Sequence, residues 1–107
     1  MNYIHHLNAF FEKAEGDHWL TPDHQSLYLA LFRTWNEAAF KQTIKINRDS
    51  TMQKSKIYSK AMYIRYMQDL ADTGYIHYFP SKHRNGEATV MLVPFSNTGN
   101  SRDHFLN

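Results

Sequence analysis

The sequence contains no cysteine, which removes disulfide frameworks, cysteine-built zinc sites and thiol nucleophiles together. A fold without disulfides stands on packing, as intracellular domains generally do. No apolar run approaches the ~20 residues of a membrane-spanning helix. The opening MNYIHHLNAFFEKAE is broken by charge, not built as a basic head followed by an apolar stretch. A cytoplasmic protein without membrane association is therefore expected. Catalytic signatures are missing too. No serine sits in a Gly-x-Ser-x-Gly elbow, no glycine-rich loop leads into a helix, and the acids are scattered. Ser55, Ser59 and Lys60 are explained by a turn and a helix cap without chemistry. No enzyme activity, no cofactor and no small-molecule ligand are expected. Of the seven histidines, His5 and His6 point about 100° apart on a helix. His18 and His24 have neither a cysteine partner nor a His-Glu-x-x-His frame. They read as surface or partly buried side chains, with no metal site.

What is present fits one domain of residues 1–95 with a flexible tail at 96–107. The chain has 107 residues, enough to bury a core. Its 42% hydrophobic and 15% aromatic content argues against global disorder. Residues 2–15 put Tyr3, Leu7, Phe10 and Ala14 on one helical stripe, with Ile4 and Phe11 beside it. That helix either caps the core of its own domain or joins two copies as a homodimer. Thr21-Pro22-Asp23 is a helix start, with a hydroxyl cap, proline in the first turn and an acid beside it. Leu27, Leu31 and Trp35 then recur on one side, flanked by Tyr28, Phe32 and Ala39.

Ile44-Lys45-Ile46 alternates as a short strand. Asn47 caps a helix over about 48–55, Ser55 to Tyr58 form a turn around a buried Ile57, and Ser59 caps a helix over 60–73 that Gly74 ends. Tyr63, Met67 and Leu70 face inward on that helix, with Tyr66 on the flank. The outward side carries Ala61, Arg65, Gln68 and Asp72, with Met62 and Ile64 at its margins. Two β-branched and aromatic runs, 75–79 and 88–93, flank a polar loop containing Gly86 and form a hairpin. Its tip carries Lys82, His83 and Arg84. Among the tyrosines, periodicity buries most and leaves Tyr58 exposed in the turn.

The charge is unevenly divided. Residues 1–43 carry three cations against five acids, whereas residues 44–93 carry eight against four. Six of the eight, Lys45, Arg48, Lys54, Lys56, Lys60 and Arg65, fall within a stretch opposed only by Asp49. One-sided positive charge is the electrostatic footprint of a polyanion-binding surface.

The order short strand, helix, turn, helix, hairpin resembles the winged helix-turn-helix. Ser55-Lys56-Ile57-Tyr58-Ser59-Lys60-Ala61, with Leu70, Gly74 and Ile76, is similar to the helix-turn-helix core of winged-helix regulators. The whole of residues 1 to about 93 resembles short winged-helix proteins of Bacteroidetes genomes and their mobile elements. The residues that carry this are Met1 to Ile4, His6-Leu7 and Phe10-Phe11, then Leu20, Pro22, His24, Ser26 to Tyr28, Ala30 to Phe32 and Trp35-Asn36. They continue with Arg48-Asp49, Ser55 to Ile57, Ser59 to Ala61, Tyr63, Gly74 to Ile76 and Pro80-Ser81. One departure is the turn, where Lys56-Ile57-Tyr58 lacks the glycine that many helix-turn-helix proteins carry.

The resemblance implies a mainly α fold with a small β-hairpin (α+β), about four helices and a two- to three-stranded antiparallel wing. It implies sequence-specific binding of double-stranded DNA, as in a transcriptional regulator. Lys60, Arg65 and Gln68, with Ala61 and Ile64, are placed to approach base edges. Ser59, Lys54, Lys56, Lys82 and Arg84, with His83 beside them, are placed for phosphates. The rival from another class is a protein-interaction or replication accessory module of a mobile element, with no direct base readout.

Overall fold

The computed structural model describes residues 3–82 and 86–95. They form four helices and a three-stranded antiparallel sheet, a mixed α+β class. Among these residues no helix is long and apolar enough to cross a membrane. The chain divides into two contact units, one drawn from Met1–Leu20 with the residues from Pro94 onward, the other Thr21–Val93.

In the first unit, α1 (Tyr3–Gly16) buries His6, Phe10 and Ala14, spaced four apart on one stripe. Phe10 and Ala14 lie on the stripe that hydropathy predicts, but His6 takes a place on it in front of Tyr3 and Leu7. Tyr3 and Phe11 are exposed, and Ile4 is 69% exposed. The reason is a partner distant in sequence: Phe95 is buried, and its ring lies 5.3 Å from the His6 imidazole. That aromatic contact recruits a polar residue to the inner stripe, and burial lowers the His6 pKa from its ordinary value. At the helix end Lys13 reaches Asp17 at 3.3 Å, one turn on.

The second unit holds α2 (Pro22–Glu37), β1 (Ile44–Asn47), α3 (Arg48–Ser55), α4 (Lys60–Asp72), β2 (Ile76–Pro80) and β3 (Glu87–Leu92). The sheet order is β1-β3-β2, so β1 and the hairpin strands share one sheet. Ile44 pairs with Val90 and Ile76 with Leu92, and Pro80 closes β2 opposite Ala88. Proline is tolerated there because β2 is an edge strand with no donor to supply on its outer side. Ile44, Ile46, Ile76, Ala88, Val90 and Leu92 are buried, while Lys45, His77 and Phe79 on the alternate positions are exposed. α2 packs against α3 and α4, and Leu27, Tyr28, Leu31, Met67, Leu70 and Tyr75 are fully buried. Truncating one of these, such as Leu70→Ala, removes about 2–5 kcal/mol.

Three helices end in the same way. After α4 the Tyr75 N–H donates to the Leu70 carbonyl (2.9 Å) and the Gly74 N–H to Ala71 (3.4 Å), with Gly74 at φ +87°. This is a Schellman cap, and glycine suits its left-handed position. After α3 the bonds Ile57 N–H to Met52 (3.1 Å) and Lys56 N–H to Gln53 (3.3 Å) repeat it, with Lys56 at φ +64°. After α2 they run from Phe40 to Trp35 (2.8 Å) and from Ala39 to Asn36 (3.0 Å), and both Ala39 and Phe40 are left-handed. Ala39 is therefore exposed beyond the helix, not on its apolar flank. The Phe40 ring folds back onto Trp35 at 4.7 Å, and the Trp35 indole N–H donates to the Lys41 carbonyl at 2.9 Å. Ring packing and a satisfied indole offset the strain, which is of order 1–3 kcal/mol per residue.

Candidate functional site

The outer face of α4 begins at Ser59, whose hydroxyl accepts the Met62 N–H at 3.2 Å as the helix cap. Lys60, Ala61, Ile64, Arg65 and Gln68 are all exposed along it. In its second half each polar group has an acid of the same helix beside it. The Arg65 Nε lies 3.9 Å from Asp69, and the Gln68 amide donates to the Asp72 carboxylate at 3.0 Å. Asp69 is held from the other side by His24, whose Nε2 is 2.8 Å from its carboxylate.

His24 is the residue that periodicity did not single out. It is buried at the start of α2, where the Thr21 hydroxyl accepts its backbone N–H and its Nδ1 accepts the Thr21 N–H at 3.0 Å. This reciprocal capping box uses histidine in the place usually taken by Glu or Gln. Because Nδ1 accepts, the neutral ring carries its proton on Nε2 and donates it to Asp69. The Tyr66 ring packs edge-on to His24 at 4.6 Å, and its hydroxyl donates to Asp23 at 3.1 Å. Desolvation first, then the bond to Asp23, raise the Tyr66 pKa.

The cations predicted to face a polyanion divide into two sets. Lys54 is committed: its ammonium lies 3.1 Å from Glu37 and 3.2 Å from the Thr34 hydroxyl. The hydrogen bond and charge of Lys54 hold the Glu37 carboxyl below its ordinary pKa, with Arg33 adding a smaller pull. Lys56, Lys60 and Lys82 are exposed and have no ion-pair partner among the described residues. Tyr58 stands 73% exposed between Lys56 and Lys60. His83 and Arg84 lie outside the described residues.

Beside the first turns of α4 lies a groove of ≈ 290 Å³. Lys60, Tyr63 and Ile64 form its helix side, and Tyr78, Pro80, Ser81, Glu87 and Ala88 its hairpin side. Arg48 and Gly86 also line it. The Arg48 N–H donates to the Gly86 carbonyl at 2.8 Å, which ties the start of α3 to the root of the hairpin loop. A Cβ on Gly86 would lie 3.3 Å from both the Cβ and the Cζ of Arg48, and the residue sits at φ +77°. Position 86 therefore needs glycine twice over, for conformation and for room. Burial pushes the Tyr63 hydroxyl up to about 12, against the pull of its bond to Thr51. Burial also raises Tyr78, and the charge of Arg48 opposes that shift. Sequence reasoning placed Arg48 in the basic cluster but not at a site. Its position as the first residue of α3 and the glycine in the hairpin loop were the only signals.

Among the described residues no group of three or more His, Cys, Asp or Glu side chains is placed to hold a metal ion. No protein-family model, curated protein or solved structure matches this chain.

Proposed function

We propose that the chain is a winged helix-turn-helix protein that binds duplex DNA and regulates transcription in the cytoplasm. In this reading α3, the turn and α4 are the helix-turn-helix, α4 enters the major groove, and the β2–β3 hairpin is the wing. The pairing of β1 with the hairpin supports it. The observation that carries it is the start of α4: Lys56 and Lys60, exposed and without an ion-pair partner among the described residues, flank an exposed tyrosine at a capped helix N-terminus. Lys56 holds a left-handed conformation that glycine would adopt with less strain.

Ala61 and Ile64 then meet base edges and thymine methyls, while Lys56, Ser59, Lys60 and Lys82 hold phosphates. Arg65 and Gln68, beside Asp69 and Asp72, take a secondary place, and Lys54 supports the fold. Fluorescence anisotropy with a labelled duplex at low salt tests the reading, and sequencing duplexes selected from a random pool reports specificity. Absence of binding at low salt would sink it. Docking of a protein partner is the second reading, favoured by Phe79, 54% exposed on the outer side of the sheet. It predicts that Phe79→Ser removes function while leaving duplex binding unaltered.

A further inference from the structure

The groove beside α4 adds a contact that neither charge counting nor the helical wheel assigns. We propose that it seats one phosphodiester of the bound duplex, gripped by Arg48 from below and by Lys60 from the helix rim. The proposal rests on the duplex-binding reading and deepens it.

Among the described residues two cations line the groove against one acid, Glu87. The arginine is the better organised of the two. Its main-chain N–H is fixed to Gly86, and its side chain, 28% exposed, lies across the bare glycine. Ordering a half-buried, pre-positioned guanidinium on a ligand loses less entropy than ordering a free lysine. Its one ion-pair contact among the described residues is a long one, Nε to the exposed Asp49 at 3.7 Å. That contact leaves the two terminal nitrogens of the fork for an anion, and a fork matches a phosphate bidentately. Ile64, Pro80 and Ala88 give the groove apolar walls, which strengthen charge interactions inside it. At ≈ 290 Å³ it holds the space of roughly ten waters at ~30 Å³ each, ample for a phosphate entering from a strand. Gly86 therefore acts as a positioning residue: with any side chain there, the guanidinium has to move.

The test is an anisotropy titration of a labelled duplex across a range of salt, with thermal melting of each variant as the fold control. Arg48→Met is expected to flatten the plot of log affinity against log salt by up to about 0.9, the value for one phosphate contact. It should also weaken binding by at least about tenfold, the lower end for a hydrogen bond to a charged group. Arg48→Lys keeps the slope and loses several-fold in affinity. Gly86→Ala, which changes no charge, also loses several-fold. Wild-type binding together with Arg48→Met within about twofold of it, at unchanged slope, overturns the phosphate seat and leaves the duplex reading standing. Should Arg48→Met not fold, Arg48→Lys and Gly86→Ala decide alone, and unaltered affinity in both overturns the seat. No wild-type binding at low salt overturns both proposals. Inorganic phosphate, titrated at matched ionic strength while the Gly86 amide resonance is followed, separates the sources of the anion. Saturable binding of free phosphate in wild type but not in Arg48→Met, without loss of duplex affinity, would overturn the assignment to DNA.

Discussion

Along the outer face of α4, the second half and the first half are built from similar residues with different neighbours. Arg65 and Gln68 each have an acid one turn ahead: Gln68 donates to Asp72 at 3.0 Å, whereas Arg65, 71% exposed, has only a long contact to Asp69 at 3.9 Å. Lys60, Ala61 and Ile64 have no such acid, and the nearby cation Lys56 lacks an ion-pair partner among the described residues as well. The same contrast holds two residues apart at the end of α3, where Lys54 is bound to Glu37 and Lys56 projects outward. The lesson is that formal charge is not available charge. A cation already satisfied within the chain must break that contact before it can neutralise a phosphate, whereas an exposed one exchanges only water and counterions.

The largest effect expected from this contrast is on stability, in the half that is internally bonded. His24→Ala removes one arm of the capping box and leaves Asp69 without its buried partner, and should cost about 2–3 kcal/mol in urea unfolding. A loss within about 0.5 kcal/mol, the range of an ordinary surface change, would mean that the second half is not anchored. Next comes the open half. Lys60→Met should weaken duplex binding by about tenfold, or ~1.4 kcal/mol, with stability altered by less than about 0.5 kcal/mol. A smaller gain is expected from Asp72→Asn, which removes an acid from the face. Duplex affinity should rise about two- to threefold at low salt and return to the wild-type value as salt screens the difference. Smallest is Gln68→Ala, which should alter binding by less than about twofold because no bidentate base contact is lost. A tenfold loss there would place the second half in contact with bases and erase the distinction.

Much of the framework was legible because helix caps are local chemistry. Thr21-Pro22, Asn47 and Ser59 each sit within three residues of the N–H they satisfy, and Gly74 occupies the position that its missing Cβ suits. The exposed face of α4 was legible from its 100° periodicity. Other features depended on partners that no local window contains. Ala39 and Lys56 take glycine-like conformations because cap bonds and ring packing override intrinsic preference. His24 meets Asp69 across 45 positions, and Lys54 meets Glu37 across 17. The burial of His6 follows from Phe95, far along the chain. The pairs Arg65–Asp69 and Gln68–Asp72 stand apart, since both have the i, i+4 spacing of helix-surface neighbours and could be read directly.

The most direct measurement compares Lys54→Met with Lys60→Met, two variants with identical formal charge, in duplex binding followed across salt. Lys60→Met should be about tenfold weaker with a slope shallower by about 0.9, while Lys54→Met keeps the wild-type slope. Equal changes in the two variants, or no change in either, would contradict the division between committed and available charge.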